Sequence, residues 1–143
     1  MYEESYVLSK NCWKSRSGVV DIGFGAFSIG ALNTATGRLS TVTGMNNLAA
    51  GIYSEASGLS TKALGDISHA EGNNTKTENE AAHAEGYYTT AKGKNSHAEG
   101  NNTFASGNNS HAEGYLSTAT NINAHAEGYD CEANGNSSHA EGS

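Results

Sequence analysis

All six histidines of the chain stand in the tetrapeptide His-Ala-Glu-Gly, which begins at His69, His83, His97, His111, His125 and His139. The motif recurs at every fourteenth position without a slip. Each imidazole therefore has a carboxylate two residues on, at Glu71, Glu85, Glu99, Glu113, Glu127 and Glu141. Residues i and i+2 of a strand share a face. On a parallel ladder the imidazoles would stack at about 4.8 Å with the glutamates alongside. Histidine and glutamate are common zinc ligands, so a metal column is one chemistry open to them. A polar, hydrogen-bonded interface between chains is the plainer reading, and it is preferred. Six identical copies look like architecture, whereas a metal site usually has one geometry. No metal and no cofactor is therefore expected. No Ser or Cys nucleophile motif stands apart from the repeat and no pocket is implied, so the chain is not expected to be an enzyme.

A second column follows the glycine of the motif. It holds Tyr87, Tyr115 and Tyr129, interleaved with Asn73 and Asn101. Aromatic rings beside amides are a candidate glycan or receptor contact. Stacked turn residues, or contacts between chains, are the more ordinary outcome.

These residues are positioned by a finer repeat of seven. Counting back from Gly142 in sevens to Gly23 gives 18 slots, of which 16 hold glycine. The exceptions are Asn79 and Asn121. Asparagine tolerates the left-handed region better than other non-glycine residues, so the slot is expected to need a positive φ at a tight turn. The turn residues on this reading include Gly72, Asn79, Gly86, Gly100, Gly114, Asn121 and Gly128. Two residues before the slot, alanine fills 14 of 18 places; four before it, serine or threonine dominates. Small residues at alternate positions predict a short strand with one small-residue face. No large apolar a and d positions exist, so this is not a coiled-coil heptad. Two strands and two turns make a 14-residue coil with Ser/Thr and Ala inside. Eight to nine coils stacked at the inter-strand spacing give a rod of roughly 40 Å. The absence of proline fits, since nearly every N–H is needed for the ladder.

Bulk properties agree. The 143 residues suffice for one domain, and only 36% are hydrophobic, so a core of large aliphatic side chains is not expected. A net charge of −7 argues against nucleic acid as a partner, because phosphate binding needs clustered Lys and Arg. No apolar run approaches the ~20 residues of a membrane helix. The opening MYEESYVLSK lacks the basic region and apolar stretch of a secretory leader, so synthesis in the cytoplasm is expected. Cys12 and Cys131 define neither a disulfide framework nor a metal motif; Cys131 occupies a Ser/Thr slot and is expected to be a small buried residue.

Segments such as SHAEGYYTTAKGKNSHAEGNNTFASGNNSHAEG resemble the SHAEG-type repeats of phage tail and appendage proteins. They are also similar to the head repeats of trimeric autotransporter adhesins. The resemblance covers about residues 21–143. It implies a left-handed parallel β-roll with three chains around a threefold axis. Adhesin heads carry Val and Ile where this chain carries the outward His and Glu.

Two strand sets alternate. One becomes invariant at His and Glu; the other varies freely at its outward positions, through Thr, Leu, Lys, Phe and Glu. Invariance suggests a constrained setting, so the His-Glu strands are expected to face the threefold axis, and the variable strands solvent. Residues 1–20 lie outside the repeat and are expected to cap the first coil or attach to a neighbouring virion protein. Residues 21–143 form the roll, which ends on a repeat boundary and is expected to continue past Ser143. The resulting expectation is an all-β homotrimeric fibre segment of a bacteriophage virion, made in the host cytoplasm. It would act as a rigid spacer and contact a host-cell receptor, with no nucleic acid bound and no membrane insertion. The alternatives are a bacterial surface adhesin head, or the stalk of a tail protein whose catalytic domain lies elsewhere.

Overall fold

The structure, a computed structural model, describes residues 23–143 and the two-residue strand Trp13–Lys14. The rest of the expected N-terminal cap or attachment segment, Cys12 included, lies outside the described residues. No helix occurs among the described residues. The chain winds as a parallel β-solenoid of about eight coils, and the coil length is the period of the His-Ala-Glu-Gly motif. One sheet has ten strands and the other eight, and each strand pairs in parallel with the strand one coil on. The register is strict: His69 lies beside His83, Ala70 beside Ala84, and Glu71 beside Glu85. Trp13–Lys14 joins the same ladder beside Phe27–Ser28.

The two strands of a coil differ more than the heptad suggests. The long-sheet strands run for five residues, as in His69–Asn73, and extend past the glycine slot. The short-sheet strands have only two residues, as in Phe104–Ala105. Gly72, Gly86, Gly100, Gly114 and Gly128 therefore sit inside long strands, one residue before their ends, and not at the corner itself.

Alternation supplies the core. Ser68 and Ala70 are buried while His69 and Glu71 point outward, and the same holds coil after coil. The fully buried apolar residues among those described are 16 alanines and Val42. Serine hydroxyls seal one corner: those of Ser40, Ser54, Ser68, Ser96 and Ser110 donate to the carbonyl three residues back at 2.7–2.8 Å. The other inward column begins with Asn33 and Asn47 and continues through Thr61, Thr75, Thr89 and Thr103, all buried. Cys131, in that column, is only partly buried; its thiol lies 3.4 Å from the Gly142 carbonyl, in the last strand.

The expected positive φ is found at the long-strand glycines of the slot, 100–113° at Gly72, Gly86, Gly100, Gly114 and Gly128, but not at the asparagine exceptions. Neither Asn79 nor Asn121 has a positive φ. They open a corner, and their amides donate to the Lys92 and Asn134 carbonyls of the next coil at 2.7 and 2.5 Å. The left-handed residue lies two positions after the slot at every corner, with φ between 53° and 60° from Leu32 to Ser137. Nearly half of these corner positions hold Asn or Asp, which adopt that conformation most cheaply. Ile67 is the poorest occupant, a β-branched residue at φ 56° whose side chain is 62% exposed. Ile67→Asn should relieve about 1 kcal/mol of backbone strain without removing core contacts. A rise in melting temperature of roughly 3–6 °C is expected. A lower melting temperature in calorimetry would show that the isoleucine makes a compensating contact.

Candidate functional site

The long sheet presents one continuous face. Its outward positions in successive coils are Phe27, Ile29 and Ala31; then Thr41, Thr43 and Met45; then Glu55, Ser57 and Leu59. From His69 onward every strand contributes His and Glu, followed by Asn or Tyr in all but the last. The period-two pleat aims these outward, and the parallel register puts like upon like.

The imidazoles form a continuous stack. Ring centroids from His69 to His139 are 4.7–4.9 Å apart and the planes diverge by 1–10°. Within each strand the histidine Nε2 faces the glutamate two residues on. The Nε2–Oε2 separations are 3.4, 3.7, 3.5, 3.3 and 3.5 Å from His69–Glu71 to His125–Glu127, and 3.8 Å for His139–Glu141. These are close approaches but not hydrogen bonds: the Nε2 atoms of His69, His83, His97, His111 and His125 are buried without a hydrogen-bond partner. Within one chain the ladder is thus juxtaposed rather than hydrogen-bonded.

Burial and stacking also act on the protonation of His97. Burial, followed by the neighbouring His83 and His111, lowers the pKa of His97 below its ordinary 6.5; Glu99 and Glu85 act in the opposite direction but less strongly. A shared ion pair at neutral pH is therefore not favoured at His97, although its carboxylate lies 3.5 Å away. The pH dependence follows. A histidine whose folded pKa is depressed contributes stability that is fully present above the unfolded value. That stability is lost as pH falls from about 6.5 through the folded value. Acid destabilisation should therefore begin near pH 6.5, well above the onset near pH 4 that ion-paired glutamates would give. In metal-free buffer the melting temperature is expected to drop between pH 7 and pH 5, and His97→Gln should shrink the drop. A flat profile over that interval, with loss only below pH 4, would show instead that the histidines are charged and paired with the glutamates.

The tyrosines divide. Tyr115 and Tyr129 stack at 5.1 Å, whereas Tyr87 meets the edge of Tyr88 at 4.6 Å. All three motif tyrosines are exposed at the rim of the His-Glu face. Tyr88, which the heptad does not distinguish, stands at a left-handed corner and lines a shallow groove of about 340 Å³ with Asn46, Lys62, Asn74 and Lys76. Its signal in the sequence was only the doubled Tyr87-Tyr88. Charge is segregated as well. The outward positions of the long sheet carry seven glutamates, from Glu55 to Glu141, and no lysine or arginine from Phe27 onward. Lys62 and Lys76 lie on the short sheet instead.

The chain matches no protein-family model, and no curated protein matches it.

Proposed function

We propose that this chain is a segment of a trimeric bacteriophage fibre or appendage, a left-handed roll that acts as a rigid spacer and contacts a host-cell receptor. The observation that carries the reading is the long-sheet face. It is continuous over ten strands, and it exposes apolar side chains that a stable monomer would have reason to cover: Ile29, Met45 and Leu59 near one end, Tyr87, Tyr115 and Tyr129 along the rim. The interior offers little in compensation. Burying an alanine methyl stabilises by less than about 1 kcal/mol, while ordering each residue costs about 1–2 kcal/mol. Association through the long-sheet face would bury these side chains together with Phe27, which is already half-covered. The short sheet, with its variable Thr, Leu, Lys and Phe, would remain in solvent.

A rod of small-residue coils suits a spacer, because every coil is braced by both neighbours and none can open alone. The strict SHAEG-type repeat favours a phage fibre over a bacterial adhesin head, whose corresponding strand is apolar. Receptor contact falls most naturally to the tyrosine rim, where aromatic faces could pack on sugar rings. The test is mass in solution. Light scattering at micromolar concentration should give three times the 14.8 kDa of one chain. Ile29→Lys combined with Leu59→Lys should shift the protein toward monomer. A folded, stable monomer from the unmodified chain would end the proposal.

A further inference from the structure

The His-Glu face has a set of properties that a hydrogen-bonded polar surface lacks. Five buried Nε2 atoms have no hydrogen-bond partner, and each has a carboxylate oxygen 3.3–3.7 Å away. Unpartnered buried polar atoms are rare in folded proteins and commonly mark the place of a water or an ion. The separation is itself informative. Two ligands that hold a tetrahedral zinc ion, each at about 2.0–2.1 Å, lie roughly 3.4 Å apart. That is the bite the strand already presents, set by the pleat and repeated in each coil.

Charge points the same way. The face carries seven glutamates with no lysine or arginine among them. Stacking like charges at the inter-strand spacing is unfavourable, and a cation on the face would relieve it. Nitrogen ligands beside carboxylates suit zinc, copper or nickel; calcium and magnesium prefer all-oxygen sites.

We propose that the ladder is a file of chelating sites for a divalent transition metal such as Zn²⁺, each built on the histidine and glutamate of one strand. In three places a third ligand is at hand. His97, Glu99 and His111 offer ligand atoms within 4.8 Å of one another, as do His111, Glu113 and His125, and His125, Glu127 and His139. Neighbouring rings at 4.7–4.9 Å are too far apart to share an ion as they stand, since two bonds of about 2.1 Å span at most about 4.2 Å. A small ring rotation is needed for the second histidine; water completes the shell otherwise. Two dications one coil apart repel, so occupancy on alternate coils is expected, about three ions per chain. All these ligands belong to one chain, so the sites do not require the trimer.

The test is titration of metal-free protein with ZnCl₂ at pH 7.5, by calorimetry, with melting temperature measured alongside. Saturation near three ions per chain and a melting temperature that rises with zinc are expected. Replacing all six motif glutamates by glutamine should weaken binding at least tenfold, with circular dichroism checking that the strands persist. The corresponding His→Gln set should abolish binding. X-ray absorption of the zinc-loaded protein should show mixed nitrogen and oxygen ligands. No uptake at 100 μM zinc would overturn the proposal, and so would glutamine variants that bind as tightly as the parent. Neither result bears on the mass of the assembly, which tests the fibre reading separately.

Discussion

Replacing Gly100 by asparagine is expected to be about as damaging as replacing it by valine. Gly100 has φ +104°, well past the value near +57° that asparagine tolerates in the left-handed region. A Cβ added there would also lie 2.2 Å from the carbonyl oxygen of Gly114 in the next coil. Backbone strain of about 1–2 kcal/mol and overpacking of about 1–3 kcal/mol combine to a loss of about 3–5 kcal/mol. Gly107 is the informative control. It belongs to the other set of slots, where the φ is not positive, and its equivalents one coil on and two coils back are Asn121 and Asn79. At Asn79 and Asn121 the backbone accommodates a side chain, and the amide reaches the next coil's carbonyl; a Cβ added at Gly107 would still lie 1.9 Å from the Asn121 carbonyl oxygen. Gly107→Asn escapes the positive-φ strain but not the crowding, so it should lose less than Gly100→Asn by about the 1–2 kcal/mol of that strain. Chemical denaturation of both variants decides the matter; equal losses would mean that the two glycine sets are conformationally alike.

Asn47→Ala should be similarly costly, for a different reason. Asn47 is 1% exposed and joins three coils. Its amide donates to the carbonyls of Thr43 at 2.7 Å and Gly58 at 2.8 Å, and its side-chain oxygen accepts from the Thr61 N–H at 2.8 Å. Its own N–H donates to the Asn33 side chain at 3.0 Å, which repeats the pattern one coil back. Truncation leaves a buried N–H and two carbonyls short of partners, and it opens a cavity in a core of small residues. At about 1–3 kcal/mol for each stranded group, a loss of about 3–5 kcal/mol is expected after partial relaxation. Thr103, further along the same column, gives the opposite expectation. Its buried hydroxyl has no hydrogen-bond partner, so Thr103→Val should be neutral or slightly stabilising. If Asn47→Ala and Thr103→Val changed the denaturation midpoint equally, the asparagine ladder would have no special role.

Much of the architecture was legible in the residues themselves. The constant spacing of the His-Ala-Glu-Gly motif specifies the coil, because a parallel ladder can keep like upon like only if each coil has the same length. The alternation of Ser/Thr and Ala specifies which side is interior, because only small side chains fit between two close sheets. From these follow the outward direction of His97 and Glu99 and the stacking of one histidine on the next.

Other features were not legible, and each depends on a neighbour one full coil away along the chain. The sevenfold glycine column reads as one class, yet it divides into slots with positive φ in the long strands and slots without it at the corners. What crowds a side chain at both is the carbonyl of the next coil, which no local pattern reveals. The left-handed residues do leave a trace, in the Asn and Asp enriched two positions after the slot, as at Asn74, Asn102 and Asn109. Leu, Ile and Tyr at the same positions obscure it, because stacking of coils imposes the corner geometry whatever the side chain prefers. The lowered pKa of His97 was hidden for the same reason. His followed by Glu reads as an ion pair along the strand, but the stack places each inner imidazole between two others and partly removes it from water. Residue order thus determined the coil, its interior and its outward columns. The packing of one coil on the next decided the backbone conformation at each glycine and the protonation of His97, because both depend on atoms that only the fold brings within reach.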